Sequence, residues 1–198
     1  MMSPLNANPG RRYPLVVFLH GAGARGSDNQ SQLSGFPEQM AQTFWRKRFP
    51  CFLLAPQCAE STYWTEFDAE LFGLIRKATE RYPIDPHRVY LTGLSMGGYG
   101  SWKLAAMEPK LFAAVVPICG GGDPSWAAQL AQVPIWAVHG DADDAVHVEQ
   151  SRMMIRAIRE AGGNPNYTEL KGVGHNSWTQ TYRDPEGVVN WMFQQTKP

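Results

Sequence analysis

The sequence predicts an α/β protein, with a mostly parallel sheet of about six strands flanked by helices. Three observations predict it. Short continuous apolar runs recur along the chain and stop at Gly or Pro; segments of helical periodicity lie between them; and glycines gather where the runs end. Continuous rather than alternating apolar runs suit strands covered on both faces. Repeated strand–helix alternation implies right-handed crossovers and a parallel sheet.

The elements follow in chain order. Leu15 to Leu19 is the first predicted strand and ends at His20-Gly21. Phe36 to Arg48 predicts a helix. Cys51 to Ala55 is the second strand, ended by Pro56. Phe67, Leu71, Leu74, Ile75, Ala78 and Tyr82 recur at helical spacing. Arg88 to Thr92 is the third strand, ended by Gly93, and Ser95 to Met107 the helix after it, stopped by Pro109. Ala113 to Ile118 and Ile135 to Val138 are the fourth and fifth strands; the fourth stops just before a glycine triplet and the fifth at His139-Gly140. Val148, Ser151, Ile155 and Ile158 mark a helix with Gly162-Gly163 as its stop signal. Tyr167 to Leu170 is a weaker sixth strand. Asp184-Pro185 reads as an N-cap and first-turn proline opening the last helix, whose apolar face is Val188, Val189, Met192 and Phe193. The division expected is a short polar arm over residues 1–12 and one domain over 13–198.

Composition narrows the function. The chain has 198 residues, enough for one sizeable core, with 18 basic and 18 acidic side chains that cancel. Charge balance argues against a nucleic-acid partner and against a polybasic membrane surface. At 43% hydrophobic and 12% aromatic, the chain is not disordered. The strongest apolar run is far too short to span a bilayer, so no membrane insertion is expected. The N-terminus carries no apolar signal-peptide core. Three cysteines, Cys51, Cys58 and Cys119, form no Cys-x-x-Cys pair and no even set, which suggests reduced thiols and a cytoplasmic location.

In open parallel sheets, ligands bind beyond the carboxyl ends of the strands. Gly93-Leu94-Ser95-Met96-Gly97 lies there, a G-x-S-x-G pattern with a strand before it and a helix after it. That context places Ser95 on a tight turn that exposes its hydroxyl, and the small residues around it leave room for the backbone. A serine hydroxyl needs an adjacent base. Of five histidines, His175 follows every element except the final helix, the place expected for the base when the order is Ser, acid, His. His20 and His139 each close a strand before Gly and read as locally bonded or packed. The acid is sought in His139-Gly140-Asp141-Ala142-Asp143-Asp144: Asp143 is favoured, then Asp144, which reads as a helix cap, then Asp141. Oxyanion donors are expected from the backbone N–H groups of Met96 and, in the glycine-rich loop after the first strand, Ala22.

These motifs together resemble the α/β-hydrolase superfamily. They run in order as His-Gly-Ala-Gly, Gly-Leu-Ser-Met-Gly-Gly, His-Gly-x-x-Asp-x-x-Val and Gly-His-x-x-Trp. The chain is most similar to small serine esterases of the polyhydroxybutyrate-depolymerase-like, dienelactone-hydrolase-like and phospholipase/carboxylesterase groups. Ile84 to Gly93 and Ala55-Pro56-Gln57-Cys58 followed by Trp64 add to the likeness. The resemblance implies a minimal α/β-hydrolase fold, with Ser95 as nucleophile, Asp143 as acid, His175 as base, and Ala22 and Met96 as oxyanion donors. It also implies no cofactor and no metal. Two departures from the resembling family are expected: with only a short arm before the first strand, the two leading strands of larger hydrolases are not expected, and Ala24 stands where similar esterases often carry an acid.

Only Cys119 to Val133 separates the fourth and fifth strands, too little for a cap domain, so an open site is expected. Trp64, Trp126 and Trp178 each follow a strand end and are the candidate pocket walls. The implied function is a serine carboxylesterase acting on small or aromatic esters through an acyl-enzyme. The alternatives are an acyl-thioesterase and a non-catalytic binding protein of the same fold. The expected partner is a small-molecule ester.

Overall fold

The computed structural model describes residues 1–8 and 10–198. Six strands form one all-parallel sheet in the order β2-β1-β3-β4-β5-β6: β1 Tyr13–Leu19, β2 Phe52–Leu54, β3 Ile84–Leu94, β4 Ala114–Ile118, β5 Trp136–Gly140 and β6 Asn166–Leu170. Each predicted strand is present within a few residues of its expected ends. β3 begins earlier than its apolar run because Ile84 already pairs with Tyr13, and a register shift then brings Val89 opposite Leu15.

The continuous apolar runs are explained by the two cores they serve. Alternate residues of β1 point to opposite sides: Leu15, Val17 and Leu19 join one buried cluster, Val16 and Phe18 the other. Helices α3 (Asp68–Arg81), α4 (Met96–Met107), α5 (Ala127–Leu130) and α6 (Glu149–Glu160) pack on the first face, through Leu71, Ile75, Trp102, Leu130 and Met154. Helices α1 (Phe36–Ala41), α2 (Thr43–Arg48), α7 (Trp178–Arg183) and α8 (Val188–Gln194) cover the second, through Phe36, Trp45, Tyr182 and Met192.

Two sequence expectations are corrected. The helix expected over Phe36 to Arg48 is two helices, because Gln42 takes extended backbone (φ −68°, ψ 145°) between them. The last helix does not open at Asp184-Pro185. Asp184 ends α7, and its carboxylate and carbonyl accept the Glu186 and Gly187 N–H groups in a turn before α8. Helix α7 has no counterpart in the sequence reading, since six residues are too few to show a period. Upstream of β1, Met2 makes an antiparallel bridge with Leu53 at the sheet edge. Among the described residues, no helix is long and apolar enough to cross a membrane.

Candidate active site

Ser95 lies between β3 and α4 with φ 53° and ψ −117°, a conformation L side chains rarely take. The glycines around it make the turn possible. A Cβ on Gly93 would stand 2.4 Å from the Gly97 carbonyl oxygen, one on Gly97 1.9 Å from that of Leu19, and one on Gly98 2.6 Å from that of Ile118. No side chain fits at these positions, so the turn is wedged between the ends of β1 and β4. The Ser95 N–H donates to the Ile118 carbonyl at 2.9 Å and completes the wedge.

Two loops bring a histidine and a carboxylate to that serine. His175 Nε2 is 2.9 Å from Ser95 Oγ, and His175 Nδ1 is 2.7 Å from Asp143 Oδ2. A carboxylate only accepts, so Nδ1 carries the proton and Nε2 is left to accept from the serine hydroxyl. Asp143 Oδ1 accepts the N–H groups of Ala145 at 3.0 Å and Val146 at 2.9 Å. Burial pushes the Asp143 carboxyl up. The hydrogen bonds from His175 and the two amides outweigh that and hold it below the ordinary carboxylate value.

The other two aspartates have separate fates. Asp141 straps the histidine loop: its Oδ1 accepts the Gly172 N–H at 2.6 Å, while the Ala142 N–H donates to Val173 at 3.0 Å. Gly140 permits this approach, since a Cβ there would meet the Val173 carbonyl oxygen at 2.1 Å. Asp144 is exposed, and it does not cap α6, whose N-cap is Val148. The cap reading of Asp144 fails because the chain turns for four more residues before the helix starts.

The loop after β1 is braced from within. His20 is buried; its Nε2 accepts the Cys58 N–H at 3.0 Å, so Nδ1 donates to the Gly21 carbonyl at 2.7 Å. Burial holds His20 below its ordinary value, which keeps the ring neutral for this pairing. Ala22 follows in a 3-10 turn and lines the same cavity as Ser95 and His175. Met96 is the first residue of α4, and first-turn N–H groups have no acceptor within their helix.

That cavity holds about 450 Å³ and is also lined by Phe18, Gln32, Ser34, Leu94 and Trp178. Of the three candidate tryptophans, only Trp178 reaches it, its ring edge-on to His175 at 5.5 Å. Trp64 is buried beneath the first loop, donating its indole N–H to the His20 carbonyl at 2.9 Å. Trp126 packs against the core beside α5 and is not part of the lining. Both follow a strand end, but each turns inward to cover apolar surface. Gln32 and Ser34 gave no sequence signal, since they sit in a long polar loop without periodicity. A groove of about 510 Å³ between α1 and α7 adjoins the cavity and shares Gly35 and Trp178 with it. Among the described residues, Cys119, Asp143 and His175 are the metal-ligating types that cluster, with ligand atoms within 4.8 Å; two of them are already bonded to each other.

Fold and sheet order define the chain as a protein of α/β-hydrolase fold. Residues 54–168 match the Esterase family, described as "Putative esterase", and the chain belongs to that family. A crystal structure of a thermostable esterase superposes with a TM-score of 0.91 and 41% identity, covering 98% of this chain and 58% of that one. The bifunctional acetylxylan esterase/xylanase XynS20E of Neocallimastix patriciarum is 31% identical over 99 residues, 50% of this chain and 15% of that protein. The ferulic acid esterase of Anaeromyces mucronatus shares the fold, with a TM-score of 0.74 at 16% identity over 98% of this chain and 82% of that one. The chain therefore spans little more than half of the thermostable esterase and a small part of the xylan-acting enzyme.

Proposed function

We propose that this chain is a serine carboxylesterase acting on small or aromatic esters, with Ser95, His175 and Asp143 as its catalytic triad. The observation that carries the reading is the unbroken hydrogen-bonded line Ser95–His175–Asp143, at 2.9 and 2.7 Å, at the edge of a cavity large enough for a small ester. His175 Nε2 takes the hydroxyl proton as Ser95 Oγ attacks the ester carbonyl. Asp143 holds the ring in the Nδ1–H tautomer and stabilises the imidazolium. The tetrahedral oxyanion is held by the N–H groups of Met96 and Ala22. Collapse expels the alcohol, which takes its proton from His175, and leaves an acyl-enzyme. Water deprotonated by His175 then attacks the acyl carbon and releases the acid.

The cavity supports a small or flat acyl group beside Trp178, and the adjoining groove leaves space for a larger alcohol. The match to an acetylxylan esterase favours short acyl chains. The three free cysteines, all buried, fit a reducing compartment and hence the cytoplasm. The test is hydrolysis of p-nitrophenyl esters from acetate to palmitate with methyl ferulate alongside, comparing the wild type with Ser95→Ala. Turnover is expected to peak on short chains or ferulate and to fall about 10⁴-fold or more in the variant. Activity on acyl-thioesters with none on oxygen esters would replace this reading with a thioesterase. Activity retained by Ser95→Ala would remove the nucleophile.

A further inference from the structure

We propose that His139 is a positioning residue for the acid of this site: it grips the same Asp143 carboxylate oxygen that His175 holds and is itself oriented by Ser151. The inference rests on the triad reading above and extends it by two residues. Asp143 Oδ2 receives two imidazoles, His175 Nδ1 at 2.7 Å and His139 Nε2 at 3.1 Å. The His139 ring and the Asp143 carboxylate are both wholly buried.

The proton positions follow from the partners. His139 Nε2 is also 2.8 Å from the Val146 carbonyl oxygen, which can only accept, so Nε2 carries hydrogen and shares it between Val146 and Asp143. Burial is the largest influence on His139 and holds it below its ordinary value, so the ring is neutral and Nδ1 is bare. Ser151 Oγ, 2.7 Å from that Nδ1, also donates to the Gly120 carbonyl at 3.1 Å, so its one proton is shared between the two acceptors. Ser151 thereby supports the tautomer, already required by the Val146 carbonyl, that can donate to Asp143. The line of bonds runs from Ser95 through His175, Asp143 and His139 to Ser151 on α6, joining the site to the helix packed behind it.

The arrangement has a chemical consequence. The other titratable groups facing Asp143 are Cys119, whose thiol burial pushes up to about 12, and Tyr99 of α4, raised by burial; both stay neutral at working pH. The charge on Asp143 is therefore spread over His175, His139 and two backbone amides. Without the His139 donor, Oδ2 would concentrate on His175. The imidazolium would be held harder, and the carboxylate would be freer to rotate away from the ring plane. Neither His139 nor Ser151 lines the cavity beside Ser95, so KM should stay unchanged.

The variants are His139→Leu, which removes the donor; His139→Gln, whose amide keeps a donor near Nε2; and Ser151→Ala, which removes the support at Nδ1. All are assayed for kcat, KM and the pH dependence of kcat/KM on the best p-nitrophenyl ester, with melting curves for the fold. His139→Leu is expected to lose about tenfold to a hundredfold in kcat, the scale of other outer partners that orient a catalytic ligand. Its KM should stay within about twofold, and its acid limb should move to higher pH. His139→Gln is expected to recover most of the loss and restore the limb. Ser151→Ala should move the limb the same way by less. Wild-type kcat and limb in His139→Leu, or, where that variant does not fold, a wild-type limb in Ser151→Ala, overturns the inference. Ser95→Ala and Asp143→Asn in the same assay keep the two readings apart: activity retained there overturns the triad and the inference with it, whereas activity lost there with wild-type behaviour in His139→Leu overturns the role of His139 alone.

Discussion

The two halves of the candidate site are built by different physics. Ser95 is held by steric exclusion: Gly93, Gly97 and Gly98 let three backbone segments touch where no Cβ fits. Asp143 and His175 are held by hydrogen bonds between loops, through Asp141 to Gly172, Ala142 to Val173 and the His139–Asp143–His175 contacts. The first device is compact in sequence, all of it within residues 93–98. The second joins segments about thirty residues apart. Steric devices fail abruptly when an atom is added, whereas polar assemblies lose function step by step.

Paired glycine substitutions test this contrast with the largest effect. Gly97→Ala would drive a Cβ to 1.9 Å from the Leu19 carbonyl oxygen, with backbone on both sides of the clash and nothing flexible to give. The expected outcome is loss of folded, active protein. Gly172→Ala, at φ 70° with nothing within 4 Å of the added atom, should cost only about 1–2 kcal/mol for the left-handed backbone. Melting curves of the two variants check this. Similar losses in both would show that the elbow is not the stiffer half.

Within the polar half, Asp143 and Asp144 should separate by role. Asp143→Asn keeps the size but removes the charge that fixes the His175 tautomer, and is expected to lower kcat about 10⁴-fold. Asp144→Asn, at an exposed side chain, should leave kcat within about twofold. Steady-state kinetics on one ester decide it, and the reverse ranking would remove Asp143 as the acid.

How much of this was legible follows from the same contrast. The strand runs and the Gly-x-Ser-x-Gly turn could be read because each is a local pattern with one physical cause, burial on two faces or a forbidden Cβ. Asp143 was favoured over its neighbours because Asp144 reads as a helix cap, and the spacing of a resembling family agreed; the hydrogen bonds that distinguish it come from Ala145, Val146 and His175. His139 was read as a locally bonded histidine, since nothing near it in the chain announces that its second ring nitrogen reaches the acid. Trp64 and Trp126 misled because following a strand end places a residue near the site without saying which way the ring turns. The division of Phe36 to Arg48 into two helices was also hidden, as both halves keep helical residue types.

The smallest expected effect lies in the acid response of the polar half, because the elbow contains no titrating side chain. His20 and His139 are held by burial below their ordinary 6.5, so the unfolded chain takes up protons at a pH where the folded protein does not. Stability rises with pH wherever the unfolded state binds more protons. Their contribution is therefore complete above about pH 6.5 and is lost as pH falls toward their folded values. Asp143, held below its ordinary 3.8, adds a second window: its contribution is complete above that value and is lost as pH falls through the folded one. Melting temperature should thus start to decline below about pH 6.5, and the decline down to about pH 5 should be shallower in His139→Gln, which removes one of the two buried histidines. Amide exchange in the same range should rise in residues 140–146 and 172–176 before it rises in 93–98. A uniform rise across both segments would mean that the two halves open as one unit, and that the steric and polar devices share a single cooperative element.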